Sequence, residues 1–329
     1  MISKRQILKA AGALPLAWTI SGPRVGYAQS QAYPGRPVTL VVPFSAGNAS
    51  DTTARALAQQ LGSTLGQQVV VDNRPGAGGV TAVKLLARSA PDGHTLLFVG
   101  AGVAISQSLL KPAPYDMLKD SVQVSTVSSD ELLVLVPSNS KFETFQDFRR
   151  EAKERGSAMT VGVNTLGSLQ HLSAELLKSR AQLEYVIAPF GAASRLVNGL
   201  VAGDVDLALE YAAPMRSLIS SGMVKPLAIC SAKRSELWPE VPTMKELGIP
   251  DYEITSWSMV VAPAQTPESI VHRLNQGIRS ALAAPAFVTQ MKANGTRILG
   301  STALQASALM ASEIKRWAGV INASKIELR

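Results

Sequence analysis

The sequence predicts an α/β protein made of two doubly wound lobes, joined by two crossings around a ligand cleft. Three observations carry this expectation. Short apolar runs rich in β-branched residues alternate with helically spaced segments in two successive sets. Without its N-terminal leader the chain keeps about 300 residues, more than one hydrophobic core usually organises. No low-complexity linker divides the two sets, and the C-terminal piece is too small to be a domain alone, so it is expected to return and complete the first lobe.

The leader comes first. Lys4, Arg5 and Lys9 border an apolar run from Ile7 to Ile20, and a small-x-small site follows at Gly26, Tyr27 and Ala28. That layout reads as a secretory signal peptide over residues 1–28, cleaved after Ala28. Ser3 to Lys9 also resembles a twin-arginine export signal, with Lys4 where such signals prefer arginine. The apolar run is shorter than the roughly 20 residues a spanning helix needs, and it contains Gly12 and Pro15.

The first set then begins with a strand at Val38–Phe44, a turn at Ser45–Ser50 and a helix over Asp51–Leu65, where Ala54, Leu57, Ala58 and Leu61 share one face. A strand at Gln68–Asp72, a glycine-rich turn and a helix from Val80 to Ser89 follow. A strand at His94–Gly100 then leads to a helix at Ala104–Leu110. The second set runs through strands at Leu132–Val136, Thr160–Val163, Glu184–Ile187, Val205–Leu209 and Val224–Ile229, with helices at Ser168–Arg180 and Ala192–Val201. After Pro250 come an extended run at Ile254–Ala262 and two helices, Pro267–Ala284 and Thr302–Ala323. Such alternation predicts parallel sheets with helices on both faces. Lobe 1 is expected over residues 29–130 plus 253–329, and lobe 2 over 131–252. The crossings fall near Ser128–Glu131 and Pro250–Tyr252, a geometry suited to hinge closure.

Composition narrows the partners. The net charge of +8 falls to +4 once the leader's Lys4, Arg5, Lys9 and Arg24 are removed, since the leader holds no acid. The remaining basic residues are dispersed, so no nucleic-acid partner is expected. A monomer is expected. Cys230 is the single cysteine, in the apolar run Leu227-Ala-Ile-Cys, and reads as a small buried hydrophobe.

Enzyme signatures fail one by one. Thr81 stands where a dinucleotide fingerprint beginning at Gly76 needs its third glycine, and no Gly-Lys-Ser/Thr occurs. Neither a His-Glu-x-x-His motif nor a Gly-x-Ser-x-Gly elbow is present. His94, His171 and His272 lie in separate elements, so no metal is expected, and nothing calls for a cofactor.

Small polar turns at strand-to-helix junctions are what the sequence does offer. Ligands of open α/β sheets bind at strand C-termini, where helix N-termini present free N–H groups and a positive dipole end suited to carboxylates. The first such turn supplies Phe44, Ser45, Gly47, Asn48, Ala49, Ser50 and Asp51, and the second Gly100 and Ala101. In the other lobe, one turn supplies Thr165, Gly167 and Ser168, and another Phe190, Gly191 and Ala192. Asp51 and Ser168 are expected to cap their helices and aim first-turn amides into the cleft. Two acids complete the candidate ligand-binding set: Asp206, with a structural reading preferred, and Glu210, suited to an amine or hydroxyl donor. Trp257 fits either the core or a cleft wall.

Taken in order, these loops resemble the Bug family, periplasmic solute receptors of tripartite tricarboxylate transporters. The similarity rests on Pro43-Phe44 with Gly47, Asp51 and Ala54-Arg55, on Val71-Asp72-Asn73-Arg74-Pro75-Gly76-Ala77-Gly78-Gly79, and on Pro91-Asp92-Gly93-His94-Thr95-Leu96-Leu97. It continues through Tyr115-Asp116, Lys119-Asp120, Gly167-Ser168 with His171 and Glu175, Pro189-Phe190-Gly191, Ala202-Gly203-Asp204-Val205-Asp206, Leu237 to Thr243, and Trp257 before Ala262-Pro263. The match spans nearly all of the mature chain.

The resemblance implies a type II periplasmic binding protein that captures a dicarboxylate, an amino acid or an aromatic acid and delivers it to membrane transporter subunits. It implies that the loop after Pro43 holds the ligand's proximal carboxylate through backbone amides and bridging waters. The turns at Thr165–Ser168 and Pro189–Ala192 would touch the rest on closure. Departures are visible as well. Ala46, Gly47 and Asn48 stand where the family loop usually carries a proline and two glycines, so Asn48 is expected to add a side-chain donor or fix a positive φ. Phe190 replaces a usual tyrosine. The competing reading is a sensor whose closed form is presented to a membrane-bound histidine kinase; a secreted hydrolase is a third.

Overall fold

Two central strands bury both of their faces. In β1 (Val38–Val42) and β3 (Thr95–Gly100), Leu40, Leu96 and Phe98 join one apolar core while Val41, Leu97 and Val99 join another. A strand covered on both faces reads as an unbroken apolar run, which is why these two are legible in the sequence. The computed structural model describes residues 33–327. The leader and its cleavage site lie outside the described residues.

The first sheet adds β2 (Val69–Asn73), β4 (Ser121–Thr126) and β11 (Ser258–Pro263), in the order β2-β1-β3-β11-β4. The second contains β6 (Leu132–Pro137), β7 (Thr160–Val163), β8 (Val186–Pro189), β9 (Leu207–Tyr211) and β10 (Val224–Ile229), in the order β10-β6-β9-β7-β8. Read from its other edge, the second order is β8-β7-β9-β6-β10 and matches the first strand for strand.

Neither sheet is wholly parallel, contrary to the expectation from alternation. In each, one strand opposes the other four: β11 in the first and β6 in the second. Both are the first strands laid down after the chain changes sheets. Parallel neighbours are made through a helical crossover that returns the chain to the starting edge. The links into β6 and β11 contain no such helix, and the chain enters from the opposite end.

On one face of the first sheet lie α1 (Ala49–Leu65), α9 (Glu268–Leu282) and α10 (Pro285–Asn294). The stripe Ala54, Leu57, Ala58, Leu61 and Leu65 of α1 is buried there, each leucine contributing about 2 kcal/mol. The other face receives α2 (Val80–Ala87), α3 (Ala101–Leu109) and α11 (Ala303–Ala323), while α4 (Met117–Asp120) leads into β4. The second sheet packs α5 (Phe145–Arg155) and α6 (Leu169–Ala181) on one side and α7 (Ala193–Ala202) and α8 (Ala212–Ser220) on the other.

The chain leaves the first sheet after Thr126, passes through β5 (Ser128–Ser129), which pairs with β12 (Arg297–Ile298), and enters the second at Leu132. It leaves β10 at Ile229 and regains the first sheet at Ser258. The two passages touch: Glu131 and Thr255 form an antiparallel bridge, and Ser256 N donates to Asp130 O at 3.0 Å. One apolar core then continues from Val41 and Leu97 of the first sheet to Val134 and Val161 of the second, with Trp317 of α11 inside it. Trp257 belongs to this core at 4% exposure. Its Nε1 donates to Glu313 Oε2 at 2.9 Å, and Trp317 Nε1 donates to the same oxygen at 3.0 Å. Cys230 is fully buried, and burial pushes its thiol up out of nucleophile range.

Candidate functional site

The C-terminal ends of the parallel strands in both sheets meet the crossing passages. Gly100, which ends β3, pairs with Ser258, and a side chain at Gly100 would press 3.3 Å from Trp257 O. Tyr211, which ends β9, pairs with Leu132, and the next amide, Ala212 N, donates to Glu131 O at 2.9 Å. The turns that follow β1, β3, β7, β8 and β9 therefore lie at strand ends that converge on one junction.

The turn between β1 and α1 is pinned by a charged network. Asp51 is 2% exposed. Its Oδ2 accepts Gly47 N at 2.8 Å and Arg55 Nε at 2.9 Å, and its Oδ1 accepts Asn73 Nδ2 at 2.8 Å. Asn73 Nδ2 also donates to Phe44 O at 3.0 Å, and an Arg55 guanidinium nitrogen donates to Asn73 Oδ1 at 2.8 Å. Burial pulls the Asp51 carboxyl upward, but hydrogen bonds from Arg55, Gly47 and Asn73 and the Arg55 charge outweigh it and hold the group below the usual carboxylate range.

This arrangement corrects two expectations. Asp51 does not cap α1; Asn48 does, its Oδ1 accepting Asp51 N at 2.8 Å with φ at −79°. Asn48 thus acts as an acceptor, and the positive φ of the turn belongs to Gly47, at +86°. The Gly47 amide is consumed by Asp51. The first-turn amides of Ala49 and Ser50 have no partner among the described residues, and their helix end is the anion-facing feature of this turn. Ser45, Gly47, Asn48 and Ala49 are exposed, and the half-buried Phe44 ring lies beside Gly100. Ala101, at the uncapped start of α3, is buried.

In the second sheet, Ser168 caps α6 as expected, its Oγ accepting His171 N at 3.2 Å. Gly167 N donates to His171 Nδ1 at 3.0 Å, so this ring nitrogen is an acceptor and the imidazole neutral. Burial, and then the Lys178 charge, push the His171 pKa down in the same sense. Thr165 is exposed. The neighbouring turn is tied to this one, with Gly191 N donating to Asn164 O at 2.6 Å and Phe190 N to Val163 O at 3.0 Å. Phe190 lies on α7 over Gly199 rather than standing free, while Gly191 and Ala192 are exposed. No side chain caps α7, whose first-turn amides at Ala193, Ser194 and Arg195 have no partner among the described residues.

Asp206 lies elsewhere. It precedes β9, where its Oδ2 accepts Thr160 N at 2.8 Å and Thr160 Oγ1 at 3.0 Å, at the opposite end of the strand from Glu210. Roughly 13 Å of strand separates the two acids. Its work is to close the N-terminal ends of β7 and β9, so it is not brought to the turns. Glu210 is brought there, buried beside Gln170 of α6. Sequence reasoning passed over Arg55, Asn73, Gln170 and His171 as site-building residues. The signal for Arg55 was its spacing from Asp51, one helical turn on.

A separate concavity of about 750 Å³ lies between Arg180, Lys245 and Arg316. None of the turn residues lines it, and Arg180 and Lys245 are paired with Asp251 and Glu253 at 3.5 and 3.9 Å. Among the described residues no cluster of three metal-ligating side chains occurs, and no helix is long and apolar enough to cross a membrane.

A profile of the tripartite tricarboxylate transporter family receptors, TctC, matches residues 53–326. The chain belongs to this family. TctC-type proteins are periplasmic solute-binding receptors and not enzymes. BugT of Bordetella pertussis is 36% identical over 302 residues, 91% of this chain and 93% of BugT. Among solved structures, the periplasmic binding protein BugD superposes with a TM-score of 0.75 at 29% identity, over 90% of this chain and 100% of BugD. Rhodopseudomonas palustris Rpa4515, solved with adipate, gives 0.77 at 31% identity over 90% and 99% of the two chains. MatC of the same organism, solved with malate, gives 0.74 at 29% identity over 88% and 100%. The α/β fold and the receptor family read from the sequence both stand.

Proposed function

We propose that this TctC receptor is exported, captures a small carboxylate between two hinged lobes, and hands it to the membrane subunits of a tripartite tricarboxylate transporter. The two sheets act as the lobes, residues 29–130 with 253–329 and residues 131–252, and the paired crossings act as the hinge. One observation carries the reading: two sheets of the same strand order turn the C-terminal ends of their parallel strands, with first-turn helix amides that have no partner among the described residues, toward a single junction. Helix N-termini on both sides supply dipoles and N–H donors to an anion without a fixed arginine clamp. The bound adipate and malate of two neighbours support a dicarboxylate as the ligand class.

A thermal-shift panel of malate, succinate, adipate, glutamate and benzoate tests this. A ligand that binds only the folded state stabilises it by about 2.7 kcal/mol at a hundredfold excess over Kd, raises the melting temperature with concentration, and is recovered unchanged. No shift from any acid in the panel would overturn the reading.

A further inference from the structure

The capture of an anion leaves one group unexplained, a buried acid bonded to a side chain from the first turn of α6. Glu210 is 1% exposed. Its Oε1 accepts Tyr211 N at 2.7 Å and Gln170 Nε2 at 3.2 Å. Its Oε2 is buried and, among the described residues, meets no donor in good hydrogen-bond geometry, although the Asn164 side chain is near enough to act against the rise in its pKa. Among the same residues no cation acts on the carboxyl. The groups around it are Asn164 and Gln170 from the β7–α6 connection, Leu133 from β6, and Tyr211 at the start of α8. Beyond Tyr211 stands a second acid, Asp130, which accepts Thr296 Oγ1 at 2.8 Å and is itself pushed up by burial. A carboxylate in this setting carries a buried charge with no ion-pair partner, and binding a proton removes it.

The position matters for the ligand. Gln170, the partner of Oε1, is the second residue of α6, whose amides at Leu169 and Gln170 have no partner among the described residues. A negative charge bonded to the side chain of the residue that carries one of those amides opposes the dipole they offer. A neutral acid leaves it intact.

We propose that Glu210 is a positioning group that holds a proton while the receptor takes up its anion, and that losing this proton weakens capture. The inference rests on the carboxylate reading of the site. Burial, ahead of the hydrogen bonds that act against it, raises the Glu210 pKa in the folded protein, in keeping with this role. Coupling is reciprocal: if ionised Glu210 disfavours the anion, the anion favours the proton, and at pH above the folded pKa binding takes a proton up from solvent.

Glu210→Gln, which keeps the shape and the neutral form, supplies the test. In ligand-free protein at neutral pH, the infrared difference between wild type and Glu210→Gln should contain a protonated-carboxyl C=O band, which Asp130→Asn leaves in place. Its absence overturns the inference, whatever the ligand. Calorimetry with adipate, or with malate if adipate gives no thermal shift, forms the second arm. Wild-type affinity should fall by up to about tenfold per pH unit above the folded pKa, while Glu210→Gln stays flat, and proton uptake measured above that pKa in two buffers should vanish in the variant. Parallel pH profiles overturn the inference. A silent ligand panel overturns the receptor reading alone, and the infrared result then decides Glu210 by itself.

Discussion

The two halves of the molecule share a strand order but secure their turns by different chemistry. Between β1 and α1, an ionised Asp51 gathers Gly47, Arg55 and Asn73 into a network that includes charge on both sides. Between β7 and α6, the turn is held by Ser168 and a neutral His171, with the buried Glu210 behind it. The same topology thus supports one turn that charge makes rigid and one that depends on the neutral state of its groups.

Cutting the charged network should give the largest effect. Asp51→Ala leaves the Gly47 amide, Asn73 and Arg55 without their shared acceptor, an expected loss of about 3 kcal/mol in urea unfolding, with weaker carboxylate binding. A loss below about 1 kcal/mol would mean that the first turn does not depend on this charge. Cap exchange sharpens the contrast at a smaller scale. Ser168→Ala should cost about 1 kcal/mol, whereas Ala192→Ser, which gives α7 the cap it lacks, should stabilise by several tenths to about 1 kcal/mol while competing with the ligand for the same amides. Equal and opposite stability changes with unaltered affinity would remove α7 from the site.

The smallest effect is in pH. The folded pKa of His171 lies below 6.5, so its contribution to stability is complete above that unfolded value and is lost as pH falls toward the folded one. Asp51 is also depressed, but from 3.8, so its contribution persists over the same interval and is lost only at lower pH. Between about pH 7 and about pH 5, melting temperatures of the wild type should fall relative to His171→Gln and not relative to Asp51→Asn. The reverse pattern would break the comparison.

Much of the fold was legible because doubly covered strands and alternating helices leave strong patterns. The exceptions have physical causes. Helix α5 is dominated by charge, and its one local signal was the Thr144–Asp147 capping box. Strand β4 is polar by sequence, and its serines and glutamine are satisfied by bonds to Met117 and Ser301, which local spacing cannot anticipate. Strand direction escaped for the same reason, since it depends on where the chain comes from. At the site, the turns were visible as small polar clusters, but the roles of Asn48 and Asp51 could not be told apart: both favour helix starts, and only the entry angle of the chain decides which one caps. Asp206 and Glu210 lie on the same stretch of chain, yet opposite ends of β9 give one to structure and the other to the site.

The placement of β11 has a consequence for the order of assembly. The second sheet is contiguous in sequence, from Leu132 to Ile229, and can complete itself as soon as that stretch is made. The first sheet cannot. Until Ser258–Pro263 arrives, β3 has a bare edge and β4 has no neighbour to pair with. Contacts so distant along the chain cost more loop-closure entropy than local ones and form late. The half that begins first therefore finishes last, and a chain halted before Ser258 would expose an unpaired β-edge beside a finished second half, an order that pulse-labelled hydrogen exchange during refolding reads directly.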